Sequence, residues 1–141
     1  MINDALFQAA NIFAMLGWLM LAVFPGWRYT RRVVLMGNIF LLAVTYAILF
    51  FSNFAIVMGG GGMALSSLSA AFQNPIVMLV GWVHYLAFDL FVGVWEVQDS
   101  RTCGISHWLV IPCLFATFMA GPVGLLLYMV LRMIYTKQLM S

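Results

Sequence analysis

The chain has 141 residues, of which 65% are hydrophobic and 7% are charged, with a formal net charge of +2. Soluble domains are about 45–50% apolar and about 25% charged, so this composition argues against a water-soluble domain. The small net charge and the lack of a basic run with interleaved aromatic residues argue against a nucleic-acid partner. The composition predicts one integral membrane domain over residues 1–141, with the lipid bilayer as its solvent.

Four apolar segments are long enough to cross the hydrocarbon core as helices, which takes about 20 residues. They lie at about residues 5–24, 33–58, 75–97 and 108–135. Backbone groups in lipid need internal partners, and no segment shows the alternation of a barrel strand. We therefore predict an all-α fold, a bundle of four transmembrane helices. No basic leader precedes the first segment, so we expect it to remain as a helix rather than to be cleaved.

The basic residues predict an orientation. Four lie in the two short loops and two near the C-terminus: Arg28, Arg31, Arg32 and Arg101 against Arg132 and Lys137. Cytoplasmic loops carry an excess of Lys and Arg. This pattern favours two cytoplasmic loops and both termini on the opposite face.

The connection at residues 59–74, "GGGGMALSSLSAAFQN", allows two interpretations. Its glycines permit unusual backbone angles. One interpretation is a surface loop, the usual place for such a segment. The other is a lid or partly re-entrant segment over a cavity, because irregular backbone at membrane depth must lie against protein or water.

The third segment holds most of the ionisable groups. "GWVHYLAFDLFVGVWEVQDSR", residues 81–101, contains three of the four acidic residues and one of the two histidines. At about 100° per residue, Asp89 and Glu96 lie within about 20° of each other, near Trp82, Tyr85 and Gly93. A charged residue at mid-membrane costs about 2.5–3.5 kcal/mol on insertion scales, so Asp89, near the middle of the segment, is the first functional candidate.

Structural roles fit several of these residues equally well. Glu96 and Asp99 lie near the helix end, where a side chain reaches water easily. His84 lies about 140° from Asp89 and fits a neutral imidazole that is hydrogen-bonded between helices. Arg132 can extend to the interface, or join Tyr128 in orienting the polar end of a ligand.

No metal site or cofactor is predicted. Asp89 and Glu96 are about 10 Å apart along a straight helix, too far to share one ion. The ExxH and HExxH spacings are absent, and Cys103 and Cys113 fit no metal or redox spacing. A metal would need ligands from several helices, with His107 as a candidate.

The acidic stripe suits acid–base chemistry without a cofactor on a lipophilic molecule. A dry apolar site favours the neutral form of a carboxyl group, which can then act as a general acid. Proton relay and structural pairing fit the same residues.

The second half of the chain also resembles a known family. The pattern W-x-H-x-x-x-x-D-L-F-x-G starts at Trp82, and an acid–arginine pair, Asp99 and Arg101, follows. P-C-L, G-P-x-G-L-L and a terminal arginine, Arg132, come next. Over roughly residues 74–132, and more loosely before, this resembles the abscisic-acid-deficient-4 (ABA4-like) family of small membrane proteins, long filed as a domain of unknown function.

The resemblance implies a carotenoid or other isoprenoid ligand. Plant members are linked to forming neoxanthin from violaxanthin, in which a 5,6-epoxide opens and a proton leaves the neighbouring polyene carbon to give an allene. By resemblance, Asp89 or Glu96 would protonate the oxygen, and His84 or another carboxylate would take the proton. The chain is short and lacks a plastid leader, so we expect a bacterial inner membrane, and the loop "EVQDSRTCGISH" has its own sequence.

Three functions remain open on these grounds. The first is an isomerase acting on a carotenoid-like substrate, with Asp89, Glu96 and His84 as catalytic residues. The second is a non-enzymatic carotenoid-binding or scaffold protein, working with another membrane enzyme of the carotenoid pathway. The third is a small proton-coupled carrier, which would need a homodimer. The predicted ligand-binding residues are Trp82, Tyr85, Asp99, Arg101, His107, Tyr128 and Arg132.

Overall fold

The computed structural model describes residues 2–59, 62 and 64–137. Its elements are α1 (Ile2–Val23), α2 (Thr30–Val33), a π-helical segment (Val34–Ile39), α3 (Phe40–Ser52), α4 (Phe54–Gly59), α5 (Leu65–Ala71), α6 (Pro75–Thr102) and α7 (His107–Thr136). These residues include no β-strand.

Four helices are long and apolar enough to cross a membrane, which confirms the predicted fold class. They are α1, the continuous run Thr30–Ser52, α6 and α7. The second run ends at Ser52, before a turn at Asn53, instead of continuing to residue 58. The third continues to Thr102, past the predicted end at residue 97.

Helix α6 is the central element of the bundle. It begins where the Asn74 side chain accepts a hydrogen bond from the Ile76 backbone N–H at 2.9 Å, with Pro75 in the first turn. Helices α1, α3 and α7 and the π-helical segment all pack against it. Val83 and Leu90 are therefore fully buried, and so are the polar side chains of Glu96 and Ser100.

The π-helical segment meets α1 through a polar contact. Asn38 is buried, and its Nδ2 donates a hydrogen bond to the carbonyl oxygen of Phe13 at 2.6 Å. Gly17 lies opposite, where an added Cβ would be 2.8 Å from Leu90 Cδ2. Small and amide side chains at such crossings let membrane helices approach closely and bond to one another.

Helix α7 folds back on itself at Ala120, which has φ −154° and ψ 64°. The Thr117 hydroxyl donates to Glu96 Oε1 at 2.8 Å, and the Tyr128 hydroxyl donates to Asp99 Oδ2 at 2.6 Å. In a straight helix Thr117 and Tyr128 would be about 16 Å apart along the axis, whereas Glu96 and Asp99 are about 4.5 Å apart along α6. The second half of α7 must therefore return along the first.

This reversal changes the predicted topology. The expectation that the C-terminal end lies opposite the two short loops is wrong, because Arg132 bonds to Asp99 at the same end of α6 as Arg101. By length and composition α7 as a whole could cross a membrane, but each of its halves is shorter than the about 20 residues of a straight crossing. Pro122, two residues after Ala120, is a sequence signal for a bend, but it does not give the size of that bend.

The described residues of the segment at 59–74 pack against the bundle. It contains α5, and Phe72 lies so close to α6 that a Cβ added at Gly81 would be 2.9 Å from its Cε1. Leu68 and Phe72 help to enclose a cavity of about 230 Å³. Residues 60, 61 and 63 of the glycine run lie outside the described residues.

Candidate functional site

An apolar groove runs between α1 and the first half of α7. It consists of two cavities of about 350 and 280 Å³ that share Met15, Trp18 and Phe118. Along α1 the lining extends from Asn11 to Ala22, about 16 Å of helix axis. The groove is therefore long and narrow, the shape that fits an extended apolar molecule.

The groove exists because α1 and α7 both rest on α6 but touch each other only briefly. Trp18 forms part of its wall and packs edge-on against Phe118, with ring centroids 5.8 Å apart. A Cβ added at Gly93 would be 2.6 Å from Trp18 Cζ3, so Gly93 makes the notch that holds the indole. The space left by the missing side chain of Gly93 is therefore filled by an aromatic side chain of α1.

Two polar side chains at one end of the groove are held by defined partners. Trp82 Nε1 donates to Asn11 Oδ1 at 2.8 Å, and Asn11 Nδ2 donates to the Phe7 carbonyl oxygen at 2.9 Å. Trp82 also lies beside Tyr85, with ring centroids 5.4 Å apart. These contacts fix the positions of the Trp82 and Tyr85 rings beside the groove.

The Tyr85 hydroxyl compensates for the proline of α7. It donates to the carbonyl oxygen of Phe118 at 3.0 Å. A helix would satisfy this carbonyl through the N–H of residue 122, but Pro122 has no N–H. Tyr85 therefore supplies a donor that the break in α7 removes.

Asp89 lines the same cavity as Trp82 and Tyr85. Its Oδ2 is buried and has no hydrogen-bond partner. The carboxyl group lies against Gly121 at the reversal of α7, where any Cβ would collide with it. Asp89 is the only residue with a carboxyl side chain among the described residues that line the two cavities.

Glu96 lies about two helical turns beyond Asp89 on α6 and does not line the groove. It is fully buried, its Oε1 accepts the hydrogen bond from Thr117, and its Oε2 is buried without a partner. The solvated-end interpretation of Glu96 is therefore wrong, because the returning half of α7 covers it. Its rise of about 10 Å from Asp89 along the helix keeps the two carboxyl groups in separate sites.

Asp99 belongs to a third, hydrogen-bonded cluster. Its Oδ2 accepts hydrogen bonds from the Tyr128 hydroxyl at 2.6 Å and from Arg132 Nε at 2.7 Å. Trp95 packs edge-on against the Tyr128 ring at 5.3 Å. The predicted ligand-binding residues Asp99, Tyr128 and Arg132 thus bind one another and fasten the second half of α7 to α6.

The remaining predicted residues lie elsewhere. His84 is exposed on another face of α6, where its ring stacks on Phe88 at 4.6 Å and lies beside the cavity under α5. His107 Nε2 is 2.9 Å from the Ala22 carbonyl oxygen, and Arg101 Nη1 donates to the Pro25 carbonyl oxygen at 2.8 Å. The structure does not bring these three side chains to Asp89.

A metal site has no support from side-chain clustering. Across residues 2–59, 62 and 64–137, no group of three or more His, Cys, Asp or Glu side chains could hold a metal ion. Cys103 and Cys113 are both free thiols. The chemistry that these residues offer around the groove is that of a carboxyl group in apolar surroundings.

Sequence reasoning missed the α1 and α7 walls of the groove. Met15, Trp18 and Phe118 are apolar residues on apolar helices, so no local signal separates them from lipid-facing neighbours. The role of Phe118 did have a signal, because Pro122 frees the carbonyl group four residues before it.

The chain matches the family model described as ABA4-like (ABA DEFICIENT 4-like) over residues 5–128. Neither the comparison with curated proteins nor that with solved structures gives a match. The matched span contains the groove, Asp89 and the reversal of α7. The chain therefore belongs to the ABA4-like family.

Proposed function

We propose that this protein is a membrane enzyme that isomerises a carotenoid or other isoprenoid lipid by acid–base chemistry without a cofactor. The observation that carries the proposal is the Asp89 carboxyl group, which lies in an elongated apolar groove with a buried oxygen that has no partner. Buried polar atoms are normally hydrogen-bonded, so an exception needs an explanation, and a polar atom of a ligand provides one.

The walls of the groove suit a substrate that arrives through the bilayer. Leu19 and Phe115 on the outer rim are 59% and 66% exposed, and neither bears a polar atom beyond its backbone. The polyene of an isoprenoid lipid would lie along the cavity of about 280 Å³, and its oxygenated ring would lie near Asp89 in the cavity of about 350 Å³. Trp82 and Tyr85 would flank that ring.

A single carboxyl group can complete the reaction on an epoxide. The neutral acid gives its proton to the epoxide oxygen as the C–O bond on the polyene side breaks. The carboxylate then takes the proton from the adjacent polyene carbon, and the electron pair of that C–H bond forms the second double bond of an allene. The product is an isomer with a new hydroxyl group, and Asp89 returns to its starting state.

The experiment compares pigments from membranes of a host that makes epoxycarotenoids and expresses wild-type protein or a variant. We expect Asp89→Asn to accumulate to the wild-type level and to convert substrate at least about a hundredfold more slowly, since a positioned acid or base contributes about 10²–10⁴-fold. Asp4→Asn, the same change at the start of α1, should convert substrate normally. An active Asp89→Asn protein would contradict the proposal.

Glu96→Gln separates the two unpartnered acids. Because Glu96 does not line the groove, we expect this variant to retain much more activity than Asp89→Asn. The reverse order, with Glu96→Gln inactive and Asp89→Asn active, would transfer the acid–base role to Glu96.

Non-catalytic pigment binding is a second candidate, favoured by the long apolar part of the groove that contains no reactive group. In that case pigment would copurify with wild type and with Asp89→Asn in equal amounts, and neither would change the pigment. Absorption spectra of the purified proteins distinguish the two functions.

A further inference from the structure

Another cavity lies at the end of the bundle where α1 and α6 end and α2 begins. Its volume is about 400 Å³. Leu21, Val94 and Val97 form a buried apolar part of its wall. Arg28, Arg31 and Arg101, all exposed, line it as well, so three arginines from two distant parts of the chain border one space.

No acidic side chain lines this cavity among the described residues. Asp89 and Glu96 lie deeper along α6, and Asp99 bonds to Tyr128 and Arg132 on the α7 side. Asp4 is at the other end of α1. The chain therefore places three arginines around one cavity without a carboxylate in its described lining, so an anion that enters it meets positive charge alone.

Two of the three arginines are positioned by other contacts. Arg101 Nη1 donates to the Pro25 carbonyl oxygen at 2.8 Å, which ties the end of α6 to the turn after α1. The Arg28 guanidinium carbon lies 4.6 Å from the centroid of the Tyr29 ring. These contacts use part of each guanidinium group and leave further N–H donors, and the planar guanidinium matches phosphate oxygens geometrically.

We propose that this cavity binds a phosphate group, either that of an anionic phospholipid or that of a soluble phosphate ester. The three arginines would hold the phosphate oxygens. The apolar wall of Leu21, Val94 and Val97 would contact the hydrocarbon part of a lipid, and Trp27 at the rim is a residue type enriched at the membrane interface.

Arg32 provides a matched control. It is adjacent to Arg31 in α2 and exposed, but it does not line the cavity. Non-specific attraction of an anion to a basic surface would weaken equally when either arginine is replaced. Binding inside the cavity would weaken when Arg31 is replaced but not when Arg32 is replaced.

The test measures the thermal unfolding midpoint of the full chain in neutral detergent as phosphatidylglycerol, phosphatidylcholine or inorganic phosphate is added. We expect phosphatidylglycerol to raise Tm well beyond phosphatidylcholine. The apparent Kd should weaken about tenfold or more in Arg31→Gln and remain unchanged in Arg32→Gln, since a charge-assisted contact is worth at least about one factor of ten. Arg28→Gln is the second variant if Arg31→Gln does not fold.

Each outcome decides the proposal. Binding of inorganic phosphate with the same dependence on Arg31 supports the site with a soluble ester as its ligand, and dependence with phosphatidylglycerol alone assigns it to a lipid. Equal weakening in Arg31→Gln and Arg32→Gln overturns it, as does the absence of any stabilisation by both anionic probes.

Discussion

Asp89 and Asp99 are the same residue type on the same helix, yet their surroundings are opposite. Asp99 accepts hydrogen bonds from Tyr128 and Arg132 at 2.6 and 2.7 Å. Asp89 has a buried oxygen without a partner and borders an apolar groove. An acid whose hydrogen bonds are made within the protein stabilises the fold, whereas an acid with unused bonding capacity is available to a ligand.

The two halves of α7 produce this difference. The second half carries Tyr128 and Arg132 back to Asp99, where both donate hydrogen bonds to its Oδ2. The turn between the halves presents Gly121, which has no side chain to bond, to Asp89. The reversal of α7 therefore brings hydrogen-bond donors to Asp99 but leaves Asp89 Oδ2 without one.

Arg132→Met should have the largest effect on stability. Removing one partner of a buried ion pair costs about 3–5 kcal/mol, and the lower figure is appropriate because Asp99 is 17% exposed. We expect the free energy of unfolding in mixed micelles to fall by about 3 kcal/mol. The exposed Lys137→Met, which removes the same charge further along the chain, should change it by less than about 0.5 kcal/mol.

A double variant tests the cause of that loss. Asp99→Asn in the Arg132→Met background removes the uncompensated charge, so it should recover part of the stability. If Arg132→Met is as stable as wild type, the cluster does not hold the returning half of α7 and the contrast between the two acids loses its basis.

Gly121→Ala should have the second-largest effect on stability, because its Cβ would collide with the Asp89 carboxyl group. Overpacking of this kind costs about 1–3 kcal/mol. Asp89→Ala in the same chain should relieve the collision and restore stability. Gly37→Ala is the matched control, since an added Cβ there meets no atom within 4 Å. Equal stability of Gly121→Ala and Gly37→Ala would show that the turn does not press against Asp89.

The helices and part of the acidic stripe could be predicted from sequence because both depend on local order, but Glu96, predicted on the same face as Asp89, does not line the groove. Hydropathy gives the helices, and the wheel of α6 correctly placed Trp82, Tyr85 and Asp89 on one face, where they share a cavity. The reversal of α7 could not be predicted in the same way. Pro122 signals a bend, but the direction and size of that bend depend on bonds between Asp99 and residues about thirty positions later.

Tyr85→Phe should have the smallest effect and tests the link between α6 and the break in α7. The change removes the donor that serves the Phe118 carbonyl, so we expect a loss of about 1 kcal/mol in the free energy of unfolding. Tyr29→Phe, at an exposed tyrosine near the membrane interface, should cost almost nothing by the same measurement. Equal losses in the two variants would mean that the hydroxyl does not compensate for Pro122. A loss at Tyr85 alone would show that a neutral hydrogen bond from α6 stabilises the break in α7 beside Asp89. The second half of α7 is fastened to α6 differently, by the charged hydrogen bond between Arg132 and Asp99.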